Sequence, residues 1–294
     1  MYYRRKVLLA LLQIFDDKLE KISLQKLLFL FTQHQKTKSY HFVPYKFGCY
    51  SFQANADLHT MQKYKQVSSY QQYWLKTDTA DYVPTLKSKD QHLLKNLKSF
   101  YGKLNQKELI TQTYLQYPYY AINSTILTDV LSEQDQEKVE KAKPVKQETV
   151  LFTIGYEGIT LEQYINKLII NDVKMLCDVR RNPLSMKFGF SKNQLKNACQ
   201  GVGIEYLHIP EVGIASDKRQ MLNSQADYDA LFQKYRTDTL AHERAKIQEI
   251  LIILKNNKRI ALTCFEANIH QCHRKHLADS IAALPGFDYK LMHI

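Results

Sequence analysis

The second half of the chain alternates short apolar runs with segments of helical periodicity. Five strands are predicted, at residues 149–155, 173–179, 204–209, 259–264 and 289–294. Five helices are predicted between and around them, at residues 161–170, 192–199, 228–235, 240–255 and 273–284. Alternation of this kind is typical of a mostly parallel sheet, because each connection must cross a face of the sheet before the next parallel strand. The sequence therefore predicts a doubly wound, Rossmann-like α/β domain over residues 149–294.

The first half has a different pattern. Helices are predicted at residues 3–15, 23–35, 55–65, 90–100 and 106–116, the second with Ser23 as its N-cap. An extended aromatic segment at residues 40–52 is punctuated by Pro44 and Gly48. This combination favours a smaller, mainly helical, winged-helix-like domain over residues 1–140. The polar stretch 130–148 marks the boundary between the two domains.

Charge separates the two halves as well. Residues 1–148 hold 22 Lys and Arg against 14 Asp and Glu, a net +8 of the +12 on the whole chain. A basic surface favours nucleic acid, above all DNA, over a membrane as the partner, although a solvated lysine-rich surface gives the same total. The many tyrosines of this half either pack between helices or stack on bases, and the sequence leaves both open.

Cysteine usage and hydropathy bear on location. Five cysteines are an odd number and lack the spacing of secreted domains, and no apolar run is long enough to span a bilayer. Residues 1–15 are interpreted as a core helix and not as a signal peptide. We expect a cytoplasmic protein with reduced thiols and no membrane partner.

Polar residues follow the predicted strands where each strand ends. Because the carboxyl ends of parallel strands share one edge of a sheet, these side chains are expected to form one site. The predicted catalytic residues are Glu157, Asp178, Glu266, Cys272 and His273. The predicted phosphate- or nucleic-acid-binding residues are Tyr156, Arg180, Arg181, Ser185, Lys187 and Arg274.

Several of these residues have more than one interpretation. Asp178 and Arg180 also suit a purely structural ion pair. A helix N-terminus and Arg274 would lower the pKa of the Cys272 thiol, which favours redox or nucleophilic use, whereas simple packing is the common role of a buried cysteine. Zinc is a third alternative, because His270, Cys272, His273 and His276 together with Cys264 could supply enough ligands, but their spacing matches no recognised finger. No metal ligand is predicted, and the cofactor stays unknown.

Four motifs of the second half carry a family resemblance. They are TIGYEG at residues 153–158, CDVRRNPLSMKFGFSK at 177–192, YLHIPEVG at 206–213 and CFEANIHQCHRKHLA at 264–278. Together they resemble the DUF488 family of bacterial and archaeal proteins, named for unknown function. The resemblance implies an α/β fold and supports the site residues above, but it implies no reaction.

The first half has a resemblance of its own. The segments LQKLLFLF (24–31) and FVPYKFGCYSF (42–52) are similar to the Panacea-type domain of bacterial antitoxin-like proteins, with Cys49 where a proline is usual. Two functional hypotheses follow from the whole sequence. The first is an enzyme, a hydrolase or transferase acting on a nucleotide or nucleic acid, with a basic domain that binds nucleic acid or a partner. The second is a non-catalytic, nucleotide-sensing DNA-binding regulator or an antitoxin-like interaction protein.

The predicted boundary can be tested by limited proteolysis. We expect early cleavage within residues 141–147, because this stretch is polar and no apolar periodicity continues through it. A C-terminal fragment beginning near residue 149 should persist and retain cooperative thermal unfolding. A fragment that unfolds once released would contradict the boundary.

Overall fold

A computed structural model describes residues 1–215, 222 and 224–294 of the chain. The backbone divides into two units, Met1–Lys143 and Pro144–Ile294. Across the described ranges, no helix has both the length and the apolar character needed to cross a membrane. That each unit folds independently stays a prediction.

The first unit is mainly helical. Its helices are α1 (Tyr3–Ile14), α2 (Lys21–His34), α3 (Phe52–Lys63), α4 (Ser88–Tyr101), α5 (Gln106–Gln116), α6 (Leu127–Val130) and α7 (Glu133–Ala142). Its strands are β1 (Lys18–Glu20), β2 (Val43–Tyr45), β3 (Gly48–Tyr50), β4 (Val67–Ser69) and β5 (Tyr73–Lys76). Strands β1, β5 and β4 form one antiparallel sheet. Strands β2 and β3 form a hairpin whose turn is at residues 46–47, and Gly48, the first residue of β3, has a φ of +84°.

Helix α2 is the centre of this unit. Every residue from Ser23 to Thr32 is buried, so this part of the helix is surrounded and has no solvent-exposed face. Aromatic side chains from two segments pack on it: the centroid of the Phe29 ring lies 5.3 Å from that of Phe42 and 4.5 Å from that of Tyr120. The sequence predicts Ser23 as the N-cap of this helix. In the structure the helix begins two residues earlier, at Lys21, and its N-cap is Glu20.

The second unit is an α/β domain. Its strands are β6 (Val150–Gly155), β7 (Met175–Asp178), β8 (Glu205–His208), β9 (Arg259–Cys264) and β10 (Lys290–His293). Its α-helices are α8 (Leu161–Ile170), α9 (Lys192–Gln200), α10 (Gln225–Lys234), α11 (Arg244–Asn257) and α12 (His273–Ala282). The five strands run parallel in the order β10-β6-β9-β7-β8. The predicted parallel α/β fold is confirmed.

Helices cover both faces of this sheet. Adjacent residues of a strand point to opposite faces, so the contacts of Leu262 and Thr263 show what covers each face. Leu262 belongs to the apolar cluster that includes Leu254 of α11 and Leu277 of α12. Thr263 accepts a hydrogen bond from Tyr164 of α8, at 2.7 Å. The central strand β9 is buried along its whole length, as expected of a strand covered on both sides.

Candidate functional site

The carboxyl ends of the strands lie level with one another. Gly155 at the end of β6 pairs with Cys264 at the end of β9, and Asp178 at the end of β7 pairs with Thr263. Asp178 also pairs with His208, the last residue of β8. The segments that follow these strands therefore share one edge of the sheet, where ligands of open α/β sheets bind.

A buried ion pair stands at the end of β7. Asp178 is fully buried and accepts hydrogen bonds from Arg180 Nε, at 2.8 Å, and from Arg180 Nη2. The Tyr206 hydroxyl of β8 donates to the same carboxylate at 2.6 Å. Burial and the Asp178 charge raise the pKa of Tyr206, which keeps this hydroxyl a donor. Tyr206 was not among the predicted site residues, although it lies within a motif that was quoted.

Arg180 also donates hydrogen bonds to two other groups of the protein. Its Nη1 donates to the Tyr156 hydroxyl at 2.8 Å and to the Phe190 carbonyl at 2.9 Å. The Tyr156 ring stacks on the Phe190 ring, with centroids 4.2 Å apart. Burial alone would lower the pKa of Arg180, but the Asp178 carboxylate raises it above its ordinary value. Four of the five N–H groups of this guanidinium donate to acceptors within the protein, which leaves one for a ligand. Its main role is therefore to brace the edge of the sheet.

A thiol, an imidazole and a carboxylate meet at the end of β9. His273 Nε2 lies 3.0 Å from the Val179 carbonyl, and His273 Nδ1 lies 3.4 Å from Cys264 Sγ. A carbonyl only accepts, so Nε2 carries the proton and, in the neutral ring, Nδ1 directs its lone pair at the thiol. Glu266 Oε2 lies 3.1 Å from the same sulfur. Cys264 thus contacts both a carboxylate and an imidazole, although it was not among the predicted catalytic residues.

Cys272 completes a compact cluster. The potential ligand atoms of Cys264, Cys272 and His273 all lie within 4.8 Å of one another, and all three residues are buried. Burial raises the pKa of the Cys272 thiol well above its ordinary value, and the hydrogen bond with Cys264 adds to the rise. Arg274 acts in the opposite direction and is outweighed. The expectation that this thiol has a lowered pKa is therefore wrong, because the residue is buried at the helix start and not exposed there.

These groups border a cavity of about 330 Å³. Five predicted site residues line it: Tyr156, Arg180, Arg181, Ser185 and His273. The sequence prediction missed the apolar and amide lining contributed by Asn182, Leu184, Met186, Ile214 and Phe265. Leu184, Met186 and Phe265 are exposed, and only their place beside the cavity distinguishes them from ordinary loop residues. Cys264 belongs to the same wall as His273.

The other predicted residues surround this cavity without lining it. Asp178 is hydrogen-bonded to the lining residue Arg180, and the Cys272 sulfur lies within 4.8 Å of the potential ligand atoms of Cys264 and His273. Glu157 is exposed, and its carboxylate accepts a hydrogen bond from the Ala267 backbone at 2.9 Å. Lys187 Nζ donates to the Tyr156 carbonyl at 2.6 Å, and partial burial lowers its pKa.

Arg274 and Gly155 fix the loop that carries Glu266. Arg274 is buried and donates to the backbone carbonyls of Glu266 and Ala267. The Glu266 carbonyl lies against Gly155 so closely that a Cβ there would stand 2.0 Å from its oxygen. The glycine at the end of β6 is required by this close approach, and the catalytic role predicted for Glu266 depends on it for position.

The first unit has a larger and more basic cavity, of about 720 Å³. Its charged lining consists of Arg4, Lys36, Lys38, Lys87, Lys89 and Asp90. Asp90 is buried and accepts hydrogen bonds from the Tyr3 hydroxyl at 2.6 Å and from Gln35 Nε2 at 2.8 Å. The four lysines are exposed, so the opening of the cavity is positively charged. We call this the basic cavity.

Residues 160–281 match the model of the family described as Domain of unknown function DUF488. Three of the four motifs quoted above lie within that range, and the predicted DUF488 resemblance of the second half is confirmed. The winged-helix and Panacea-like character of the first unit stays a prediction. Comparisons with curated proteins and with solved structures gave no match.

The two neighbouring arginines should respond differently to substitution. Arg180→Ala removes the partner of a fully buried carboxylate, and we expect a loss of about 3–5 kcal/mol in the free energy of unfolding. Arg181→Ala is the matched control: this residue is exposed, and its loss should change stability by less than about 0.5 kcal/mol. Chemical denaturation of both variants measures the difference, and equal midpoints would disprove the bracing role of Arg180.

Proposed function

Since the second half of the chain contains a DUF488 domain, we propose that this domain is an enzyme, a hydrolase or transferase that acts on a nucleotide or nucleic acid. One observation carries the proposal. A single cavity has Cys264 and His273 in one wall, with the Glu266 carboxylate beside them, and the exposed Arg181 in its lining. Titratable groups that converge on a concave pocket are the usual mark of a catalytic site.

Arg181 is the residue we assign to the substrate's phosphate. Its guanidinium donates one long hydrogen bond, of 3.3 Å, to the Pro210 carbonyl, so it retains donors for an anion in the fork geometry that suits phosphate. Ser185 lines the same cavity and adds a hydroxyl. Phe265 is 42% exposed there and offers an aromatic face on which a base can stack.

Glu266 is the residue we assign to proton transfer. Its carboxylate is partly exposed and lies 3.1 Å from a sulfur that lines the cavity. In a hydrolysis it would take a proton from water as the oxygen attacks the phosphoester or glycosidic bond, and it would return that proton to the leaving group. Arg274 and Gly155 act only through this loop, as positioning residues.

The basic cavity supports a nucleic-acid-binding role for the first unit. Exposed lysines gathered at one concave surface neutralise phosphates and release counterions, which gives sequence-independent affinity. Tyr2 and Tyr3 line the same cavity, so aromatic rings lie among the cations. Together the two sites suit a protein that binds a strand through one unit and acts on a nucleotide through the other.

Turnover should depend on Glu266 and substrate affinity on Arg181. Full-length protein would be incubated with nucleoside mono-, di- and triphosphates and with short DNA and RNA strands, and products separated by chromatography. On the substrate found, Glu266→Gln should lower kcat by about 100-fold or more, and Arg181→Ala should mainly raise KM. Glu205→Gln, at the opposite edge of the sheet, is the control. Binding of a nucleotide without turnover would favour the sensing regulator instead.

Nucleic-acid binding by the basic cavity should depend steeply on salt. Anisotropy titrations of single- and double-stranded DNA over a range of salt concentrations give the slope of log K against log salt. Substitution of both Lys87 and Lys89 by Ala should reduce that slope by about two, whereas Lys95→Ala on the same helix, outside the cavity, should leave it unchanged. Absence of binding to every probe at low salt would leave the unit as a protein-interaction module.

A further inference from the structure

The cluster of Cys264, Cys272 and His273 has the composition of a metal centre. Two thiols and one imidazole are buried together, with their potential ligand atoms all within 4.8 Å of one another. Sulfur and imidazole nitrogen are the ligands that Zn²⁺ prefers, and Cys₂His with a fourth open position is a known catalytic arrangement. We propose that these three side chains bind one Zn²⁺ ion. This inference goes beyond the reaction proposed above and does not depend on it.

The separation of the ligand atoms fits a tetrahedral ion. Zinc–sulfur and zinc–nitrogen bond lengths place neighbouring ligand atoms about 3.6–3.8 Å apart in a tetrahedron. Cys264 Sγ and His273 Nδ1 lie 3.4 Å apart, and no pair exceeds 4.8 Å. Side-chain rotations that shift the ligand atoms by about an ångström are therefore enough to seat the ion, with no movement of the backbone.

His273 is already oriented as a ligand. Metal-binding histidines commonly donate their second ring N–H to a backbone carbonyl, which fixes the tautomer and the ring plane. His273 Nε2 does this with the Val179 carbonyl, at 3.0 Å, and so leaves Nδ1 facing the sulfur. The Tyr235 ring stands edge-on to the imidazole, 5.6 Å between centroids, and further restricts its rotation. These partners preorganise the nitrogen before any ion arrives.

Charge balance favours a divalent cation. Binding of Zn²⁺ replaces the protons of Cys264 and Cys272, and the resulting centre of two thiolates and one divalent ion carries no net charge. A neutral centre is the form that a buried site tolerates, since an isolated buried charge is costly. The reaction is Zn²⁺ plus two thiols giving the bound ion and two released protons, with no change in oxidation state.

The fourth coordination position would face the cavity. Cys264 and His273 line the cavity and Cys272 does not, so an ion held by all three would have its open side towards the cavity. Glu266 Oε2, 3.1 Å from Cys264 Sγ, lies next to that side. A water bound there would have a lowered pKa and a carboxylate close enough to receive its proton.

The test is metal content of the full-length protein, measured without reference to activity. Protein purified without chelators should contain about one Zn²⁺ per chain by elemental mass spectrometry, and chelator-stripped protein should regain it on titration with Zn²⁺. Cys272→Ser and His273→Asn should fall below about a tenth of an equivalent. Cys199→Ser is the matched control, because Cys199 is an equally buried cysteine outside the cluster and should keep the full equivalent.

A second measurement protects the test against misfolded variants. Stripped wild-type protein titrated with Co²⁺ should develop the thiolate-to-cobalt charge-transfer absorption, which requires cysteine ligands. Wild-type protein that takes up neither Zn²⁺ nor Co²⁺ overturns the proposal, and so does zinc that persists in the Cys272 and His273 variants. Because these readouts need no substrate, they separate the metal site from the enzymatic role: metal without turnover on any nucleotide would leave the site intact and remove the reaction.

Discussion

The buried pair of Asp178 and Arg180 holds the carboxyl edge of the second unit together. Through it the end of β7 is tied to Tyr156 after β6, to Tyr206 on β8 and to the loop at Phe190. The pair is stable only because every oxygen of the carboxylate and most N–H groups of the guanidinium are satisfied, which offsets the cost of burying both charges. The cavity wall that contains Tyr156 and Arg180 depends on this bracing.

The pair also gives the two adjacent arginines different roles. Both residues lie in the loop after β7: Arg180 is buried against the carboxylate, whereas Arg181 is exposed to solvent. The loop after β9 is held by two further residues: Arg274 donates hydrogen bonds to its backbone carbonyls, and Gly155 at the end of β6 leaves room for its close approach. His273, hydrogen-bonded to the Val179 carbonyl, joins the start of α12 to the end of β7. The thiols, the imidazole and Glu266 are thus held by neighbours that themselves have fixed positions, as a preorganised site requires.

Much of the fold of the second unit was predictable. Each predicted strand overlaps an observed one, and α8 and β9 have the predicted bounds, because continuous apolar runs and capped amphipathic segments are strong local signals. In the first unit the three-stranded sheet was missed. Its strands have three or four residues each and form by pairing with distant segments, so the sequence has no hydrophobic periodicity that would predict them. The early start of α2 at Lys21, before Ser23, was missed as well, since burial on all sides outweighs the local preference of an N-cap.

For the site, the sequence by itself determined which residue types stand at the strand ends and that these ends share one edge, because a parallel sheet allows no other arrangement. It could not determine the role of each side chain, which depends on burial and on partners far along the chain. Only the tertiary structure decided that Asp178 and Arg180 neutralise each other, that Glu157 supports a loop and that Cys272 is buried close to Cys264 and His273. The physical reason is that hydrogen-bond satisfaction and desolvation depend on the neighbours of a group in space, and residues 178, 206 and 263 become neighbours only when the sheet is assembled.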